Sequence, residues 1–207
     1  MSALVLLDLS AAFDTVDHTI LLQRLEVSFG IRDSVLAWFR SYLLDRMQFV
    51  RLNGSCSSIR PVRFGVPQGS VLGPILFLLY TFDVPRLIES HGLSSHSYAD
   101  DVQLYGHCSP AESTALELRL SRCLDDVSAW MSSNHLQLNT AKTEVLWCAT
   151  ARRRSQFPMS ALRVGDDFIF PSASVRSLGA YLDRDLSLST HVTRVVSGCF
   201  GALRQLR

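Results

Sequence analysis

The sequence predicts an α+β domain, a βαββαβ antiparallel sheet with helices on one face. Three observations predict it. The chain opens on an apolar run of strand length, residues 3–9 (ALVLLDL), broken by one carboxylate. Residues 96–107 (HSYADDVQLYGH) place an Asp-Asp turn between two β-prone flanks, and a β-prone stretch at 144–148 follows a long helical pattern. With helical patterns filling the gaps, this is the split βαβ order taken twice.

Each element has its own signal. Residues 3–9 read as a buried strand with Asp8 near its C-terminal end. Residues 18–29 place Ile20, Leu21, Leu25 and Phe29 on one helical face, and 34–44 do the same with Leu36, Phe39 and Leu43. Residues 47–52 and 58–64 form a strand pair turning at Asn53-Gly54, a strong hairpin signal. The Gly/Pro-rich stretch 65–73 runs into one apolar helix over about 71–87, where Pro74 is tolerated only in the first turn. The turn in 96–107 sets Asp100 and Asp101 at a hairpin tip. Ser109-Pro110-Ala111-Glu112 is a capping box with Pro at the first helical position, and Leu116, Leu120, Leu124, Val127 and Met131 continue the helix. After the break at Ser132-Ser133-Asn134 comes the strand at 144–148. Residues 152–160 are the best linker candidate; beyond them lie β-like pieces at 161–170 and 175–182 and a helix from about 189 to the end.

Composition narrows the function classes. A chain of 207 residues, 47% hydrophobic and 19% charged, buries one sizeable core or two small ones, which excludes a disordered chain. The best apolar stretch, 75–80, is far shorter than the eighteen or so residues of a spanning helix. The first ten residues carry no Lys or Arg, and Asp8 interrupts what would be the apolar core of a signal peptide. Five scattered cysteines with no CxxC pair fit a reducing compartment. An intracellular protein, nuclear or cytoplasmic and away from the membrane, is expected.

The net charge of +1 hides an alternation. Residues 1–30 carry net −3, 31–70 carry +4, 71–150 carry −5 and 151–207 carry +5. Of the twenty basic residues, Lys142 is the only lysine.

Asp8, Asp100 and Asp101 carry the chemistry. A carboxylate removed from water loses several kcal/mol of solvation, so it needs a partner. No Lys or Arg lies within ten residues of Asp100 or Asp101, so either a distant Arg folds in or a hard cation pairs with them. Mg2+ takes carboxylate oxygens and keeps waters that phosphates replace, and two such ions can drive an in-line phosphoryl displacement. An Asp-Asp turn in solvent beside an unrelated Asp is the other reading of the spacing. The six histidines show no zinc-ligand spacing, and Gly69-Ser70 lacks the context of a hydrolase elbow.

Four stretches in order add a resemblance. Asp8-Leu9-Ser10-Ala11-Ala12-Phe13-Asp14, then Gly65-Val66-Pro67-Gln68-Gly69-Ser70-Val71-Leu72-Gly73-Pro74, then Tyr98-Ala99-Asp100-Asp101, then Asn139-Thr140-Ala141-Lys142-Thr143-Glu144 closely resemble motifs A to D of reverse transcriptases, more narrowly those of non-LTR (LINE-type) retrotransposons. Ser177-Leu178-Gly179-Ala180-Tyr181-Leu182-Asp183 looks like the following primer-grip region. The resemblance implies a polymerase palm, the ferredoxin-like form of the predicted sheet. It implies an RNA-directed DNA polymerase working by two-metal nucleotidyl transfer to a primer 3′-hydroxyl, on an RNA template, a DNA primer and dNTPs, with two Mg2+ ions or Mn2+ in their place.

Residue by residue, Asp8 and Asp100 match the metal-binding carboxylates and Asp101 the second member of the motif C pair. Leu9 matches the position where backbone meets the triphosphate and metal, Phe13 the steric gate that rejects a 2′-hydroxyl, and Gln68 and Gly69 the loop against nucleotide and template, where glycine permits close approach. Lys142 matches the lysine proposed as general acid toward pyrophosphate, a role Arg fills poorly. Each has a plainer reading: a core Phe13, a turn at Pro67-Gln68-Gly69, a surface Lys142. Asp14 and Asp17 read as structural helix-start carboxylates. Arg46, Arg51, Arg60 and Arg63 can follow a phosphate backbone or sit on a solvated hairpin face; Arg152-Arg153-Arg154 reads as a solvated linker.

The resemblance divides the chain into a palm over 1–150 and a primer-grip region with the start of a thumb or connection over 151–207. The family's fingers and endonuclease are expected to be absent and the thumb only begun near Arg207. The alternatives are a catalytically inactive retrotransposon remnant that binds nucleic acid or does nothing, and a two-metal nuclease or phosphatase on the same carboxylates, which leaves Phe13 and the Gln68 loop unexplained.

Overall fold

A computed structural model describes residues 1–206, without the side chains of Ala151, Arg154 and Ser155; Arg207 lies outside the described residues. The chain runs β1 (Ser2–Leu7), α1 (His18–Val27), α2 (Asp33–Leu43), β2 (Met47–Gln48), β3 (Arg51–Leu52), β4 (Ser55–Cys56), β5 (Arg60–Pro61), α3 (Leu72–Tyr80) and α4 (Val84–Ser90). It continues through β6 (Ser94–Tyr98), β7 (Asp101–His107), α5 (Ser113–Ser133), β8 (Glu144–Cys148), β9 (Leu162–Val164), β10 (Asp167–Ile169), β11 (Ser174–Ser177), β12 (Ala180–Asp183) and α6 (Ser189–Gln205).

Four strands form one antiparallel sheet in the order β6-β7-β1-β8. Both crossovers are split: β7 lies between β1 and β6, and β1 lies between β7 and β8. This is the predicted βαββαβ sheet. Strand period two decides which face is core: Ala3, Val5 and Leu7 are buried, while Leu4 and Leu6 are half-buried on the other face. Leu104 and Val145 flank Val5 from the neighbouring strands. α5 covers the core face with Leu116, Leu120, Leu124, Val127 and Met131, the stripe its periodicity predicts. The capping box holds its start, with Ser109 N–H and Oγ both donating to Glu112 Oε2 at 3.1 and 2.7 Å, although Pro110–Glu112 form a 3-10 turn ahead of the helix proper. Among the described residues no helix is long and apolar enough to cross a membrane.

Two elements differ from the sequence expectation. The single helix over 71–87 is two helices. Thr81 closes α3 by donating from both N–H and Oγ1 to Phe77 O, each at 3.0 Å. Pro85, second in α4, has no N–H to offer Thr81 O, and its ring would collide with that carbonyl in a continuous helix. The hairpin does turn at Asn53-Gly54, with φ of 48° and 82°. It is split into β3–β4 and β2–β5, however, because Ser57 Oγ accepts from Val50 N–H at 2.9 Å where a ladder carbonyl would stand. With both faces exposed, no buried stripe enforces a continuous register.

Arg24 ties α1 to its surroundings. Its guanidinium donates to Asp83 at 3.0 Å and Asn134 at 2.7 Å, and it faces the rings of Tyr80, Phe82 and Trp130 at 5.1–5.7 Å. Buried Tyr80 donates to Asn134 O at 2.6 Å. The same core takes in Phe157, Leu162 and Val164 from the later part of the chain.

The β11–β12 hairpin lies against the sheet's second face, where Gln103 donates to Ser177 Oγ at 2.8 Å. Asp183, buried at its end, caps α6 by accepting from Thr190 N–H at 3.1 Å and Ser187 Oγ at 3.3 Å. Hydrogen bonds from Thr190, with Ser187 assisting, hold the Asp183 carboxyl below its ordinary range. A carboxyl lowered on folding contributes stability that is complete above its unfolded value of about 3.9 and is lost as pH falls below it. Urea midpoints measured from pH 6 to pH 3 should therefore fall less steeply in Asp183→Asn than in the parent chain; parallel curves would show that the cap does not carry the acid response.

Candidate active site

The end of β1 and the tip of the β6–β7 hairpin meet through the sheet register. Leu7 stands opposite Val102, so Asp8, next along, arrives beside Asp101, the first residue of β7. Asp100 occupies the turn with Ala99, whose φ of 54° is strained for a residue with a Cβ. On its other side the Asp8 segment is pinned by Asn139 N–H donating to Asp8 O and Ser10 N–H to Gln137 O, both 2.9 Å, around a bridge between Leu9 and Leu138. Those bonds flank the bridge, so Leu9's own N–H and C=O point away from residues 137–139. The Asn139 carbonyl in turn accepts from Lys142 N–H, Thr143 N–H and Thr143 Oγ1. That turn brings Lys142 Nζ to 3.6 Å from Asp8 Oδ2.

The electrostatics of this corner are unfavourable as they stand. Asp8 Oδ2 is buried with no hydrogen-bond partner. Burial, then Asp100, then Asp8 push the Asp101 carboxyl above the usual range. Lys142 offsets little of this, since its side chain is 70% exposed and a solvated ammonium at that distance contributes at most about 1 kcal/mol. Among the described residues no three His, Cys, Asp or Glu side chains close on one point tightly enough to cage a metal ion. An orphaned buried oxygen among crowded like charges does fit a hard cation that brings its own waters.

The nucleotide-loop candidates lie alongside. Residues 13–18 grip residues 64–68 in an antiparallel run. Val66 N–H donates to Phe13 O and Gly65 N–H to Val16 O, both at 2.8 Å, and Asp17 bridges Phe64. Phe13 packs on Phe77 of α3 with ring centroids 4.9 Å apart and is only partly buried. His18, buried, donates from Nε2 to Gly65 O at 2.8 Å; a carbonyl only accepts, so the proton sits on Nε2 and the buried Nδ1 has no partner. Within the loop, Ser70 Oγ donates to Pro67 O at 2.6 Å and accepts from Gly73 N–H at 3.0 Å, which leads the chain into α3.

Within the chain itself, Gly65 is a glycine of close backbone approach. At φ +87°, a Cβ on Gly65 would stand 2.9 Å from Asp14 Cα and 3.0 Å from the Asp14 and Phe13 carbonyl oxygens. Gly69 also has positive φ, +78°, but nothing lies within 4 Å of its Cβ direction. Asp17 is the N-cap of α1, accepting from Thr19 and Ile20 N–H at 2.7 and 3.0 Å, as read from the sequence. Asp14 does not cap that helix; it sits in a 3-10 turn (Ala12–Asp14) and accepts from Gln68 Nε2 at 2.9 Å.

The four hairpin arginines divide. Arg51, Arg60 and Arg63 are exposed, while Arg46 is half-buried, its Nη1 buried without a hydrogen bond. Arg46, Gln48, Phe64, Asp14 and Gln68 are among the residues lining an open cavity of about 350 Å³ between the hairpin and the loop. Arg152 and Arg153 are exposed in a 3-10 segment, Ala151–Gln156; the side chain of Arg154 lies outside the described residues. Gly65, His18 and the Asp14–Gln68 bond went unread in the sequence: each depends on two distant segments meeting. Only the positive φ expected of some glycine in residues 65–73 offered a signal.

A family model described as "Reverse transcriptase (RNA-dependent DNA polymerase)" matches residues 2–182. The chain is 30% identical over 209 residues to the "Probable RNA-directed DNA polymerase from transposon BS" of Drosophila melanogaster, a match covering 98% of this chain and 22% of that protein. It is 32% identical over 203 residues to that of transposon X-element from the same organism, covering 91% and 20%. The chain thus spans about a fifth of the length of these curated relatives. Among solved structures, the telomerase of Candida albicans in complex with a TWJ fragment of telomeric RNA superposes with a TM-score of 0.63 at 16% identity, over 90% of this chain and 30% of that one. Apo telomerase from Candida tropicalis gives 0.61 at 14% identity, over 91% and 35%. At such identities the likeness is one of fold, an α+β palm.

Proposed function

The chain belongs to the reverse transcriptase (RNA-dependent DNA polymerase) family, and from that premise we propose that it carries the palm of a non-LTR (LINE-type) RNA-directed DNA polymerase. Residues 1–150 form the palm in this reading, and 151–207 the primer-grip region with the start of a thumb. RNA template, DNA primer and dNTPs are its substrates, and the work is done inside the cell, in nucleus or cytoplasm. The observation that carries the reading is the buried Asp8 Oδ2, which has no hydrogen bond and only the exposed Lys142 ammonium at 3.6 Å, beside an Asp101 crowded by two carboxylates.

Asp8, Asp100 and Asp101, with the Leu9 backbone, would hold two Mg2+ ions, or Mn2+. Bound there, such ions would ease loss of the primer 3′-hydroxyl proton to solvent water and would neutralise the departing pyrophosphate. The 3′-oxygen forms its bond to the α-phosphorus while the bond to the α–β bridging oxygen breaks. Lys142, held near Asp8 by the Asn139 turn, gives that leaving group a proton. Phe13 closes the space where a 2′-hydroxyl would lie, and Gln68 and Gly69 lie against nucleotide and template. Arg46, Arg51, Arg60 and Arg63 follow phosphates, a sequence-independent contact weakened by salt.

Primer extension on an RNA template with Mg2+ tests this. Incorporation of dNTP by the wild-type chain, lost in Asp100→Asn, supports the reading; no incorporation at any enzyme concentration refutes it for this chain.

A further inference from the structure

His18 is the first residue of α1, and that helix is anchored at both ends of its first two turns. Asp17 caps the start by accepting from Thr19 and Ile20 N–H at 2.7 and 3.0 Å, and Arg24, further along, donates to Asp83 and Asn134. From this fixed base the buried His18 ring reaches the loop after the hairpin, its Nε2 donating to Gly65 O at 2.8 Å. The other ring nitrogen, Nδ1, is buried with no hydrogen-bond partner. An apolar side chain of similar volume would spare the chain that unpaired nitrogen, but it would leave Gly65 O unpaired instead. Glutamine reaches as far, at the end of a side chain with more rotatable bonds. What the stiff imidazole adds is a fixed distance.

We propose that His18 is a positioning residue that sets the gap between Phe13 and the loop, and through it the choice between deoxy- and ribonucleotides. The proposal rests on the polymerase reading, which sets Phe13 where a 2′-hydroxyl would lie. Gly65 C=O and Val66 N–H belong to one planar peptide unit. That unit accepts from His18 at its oxygen and donates to Phe13 O at its nitrogen, both at 2.8 Å. Turning the peptide to release His18 therefore withdraws the donor from Phe13. Gly65, at φ +87° and without a Cβ, does not fix the tilt of this peptide by its own conformation. The imidazole does. On its other side the Phe13 ring rests on Phe77, with centroids 4.9 Å apart, so the peptide and α3 together hold the residue from two directions.

Single-nucleotide incorporation of dATP and ATP opposite an RNA template tests the assignment through the ratio of their kcat/KM values. That ratio does not depend on how much of a variant is folded, so a merely structural role would leave it unmoved. His18→Phe, which keeps a ring but has no donor, should lower the preference for dATP about tenfold. His18→Gln, which returns a donor at the reach of Nε2, should restore most of it. In a Phe13→Ala background the preference should already be low, and His18→Phe should lower it no further. An unchanged ratio in His18→Phe, a ratio that glutamine does not restore, or additive effects of the two substitutions would overturn the proposal. Nitrogen-15 spectra of the imidazoles read the bond without turnover. The wild-type chain should show a neutral ring protonated at Nε2 that is missing from His18→Gln, and a His18 ring protonated at Nδ1 instead also overturns the proposal. A wild-type chain that incorporates nothing overturns the polymerase reading and the selectivity half of this one, while the imidazole spectrum still decides the bond.

Discussion

Asp8→Asn is expected to melt above the wild-type chain while incorporating dNTP at least about a hundredfold more slowly. The two effects have opposite signs because they share one cause. Asp8 Oδ2 is buried with no hydrogen-bond partner, and Asp101 beside it is pushed up by burial and by the charges of Asp100 and Asp8. A neutral amide lowers the cost of burial and removes one repelling charge, for a gain on the order of 1 kcal/mol. In a chain of this size that is about 2–4 °C in Tm. The Lys142 contact at 3.6 Å is too exposed to reverse the balance. An amide is a poor partner for a divalent cation, so on the proposed reading the reaction loses a ligand at the moment the fold gains stability. Scanning calorimetry beside primer extension reads both; a variant that is less stable and equally active would contradict the assignment.

Gly65→Ala should cost about 2–4 kcal/mol of stability and about a hundredfold in incorporation. Its Cβ would meet three backbone atoms at 2.9–3.0 Å, and backbone cannot swing aside as a flexible side chain can. The φ of +87° adds strain of its own. To relieve it, residues 13–18 must part from 64–68, which shifts Phe13 and Gln68 relative to each other. Gly69→Ala is the control: positive φ again, but open space around the added carbon, so about 1 kcal/mol and no separation of the two segments. Chemical denaturation and single-turnover kinetics on both variants distinguish the two; equal losses would place the cost in the backbone conformation alone.

How much of this could be read beforehand depended on how local each signal was. The carboxylate tip, the capping box and the α5 stripe are set by neighbours in sequence and stand where the periodicity puts them, and the first strand does too, except that it ends at Leu7, just before Asp8. The break between α3 and α4 was legible in Pro85, whose missing N–H is as local a signal as any; the apolar run through 71–80 masked it. The hairpin's division needed Ser57 to find Val50, and it has no buried face to announce itself. At the candidate site, Asp8, Asp100 and Asp101 were named from residue type and order. The roles of Gly65, His18 and Asp14 arise only when residues 13–18 and 64–68 meet, and one segment alone carries no trace of the other.

At the centre stands one proposed claim: the carboxylates crowded at the end of β1 and the tip of the β6–β7 hairpin, offset only by the exposed Lys142, take up hard cations. A Mg2+ titration followed by thermal melting tests it without nucleotide or template. The wild-type Tm should climb with Mg2+, by about 2.7 kcal/mol of added stability at a hundredfold excess over Kd, while Asp8→Asn and Asp100→Asn should start higher and stay flat. A wild-type Tm that ignores Mg2+, or variants that climb in parallel with it, would contradict the claim.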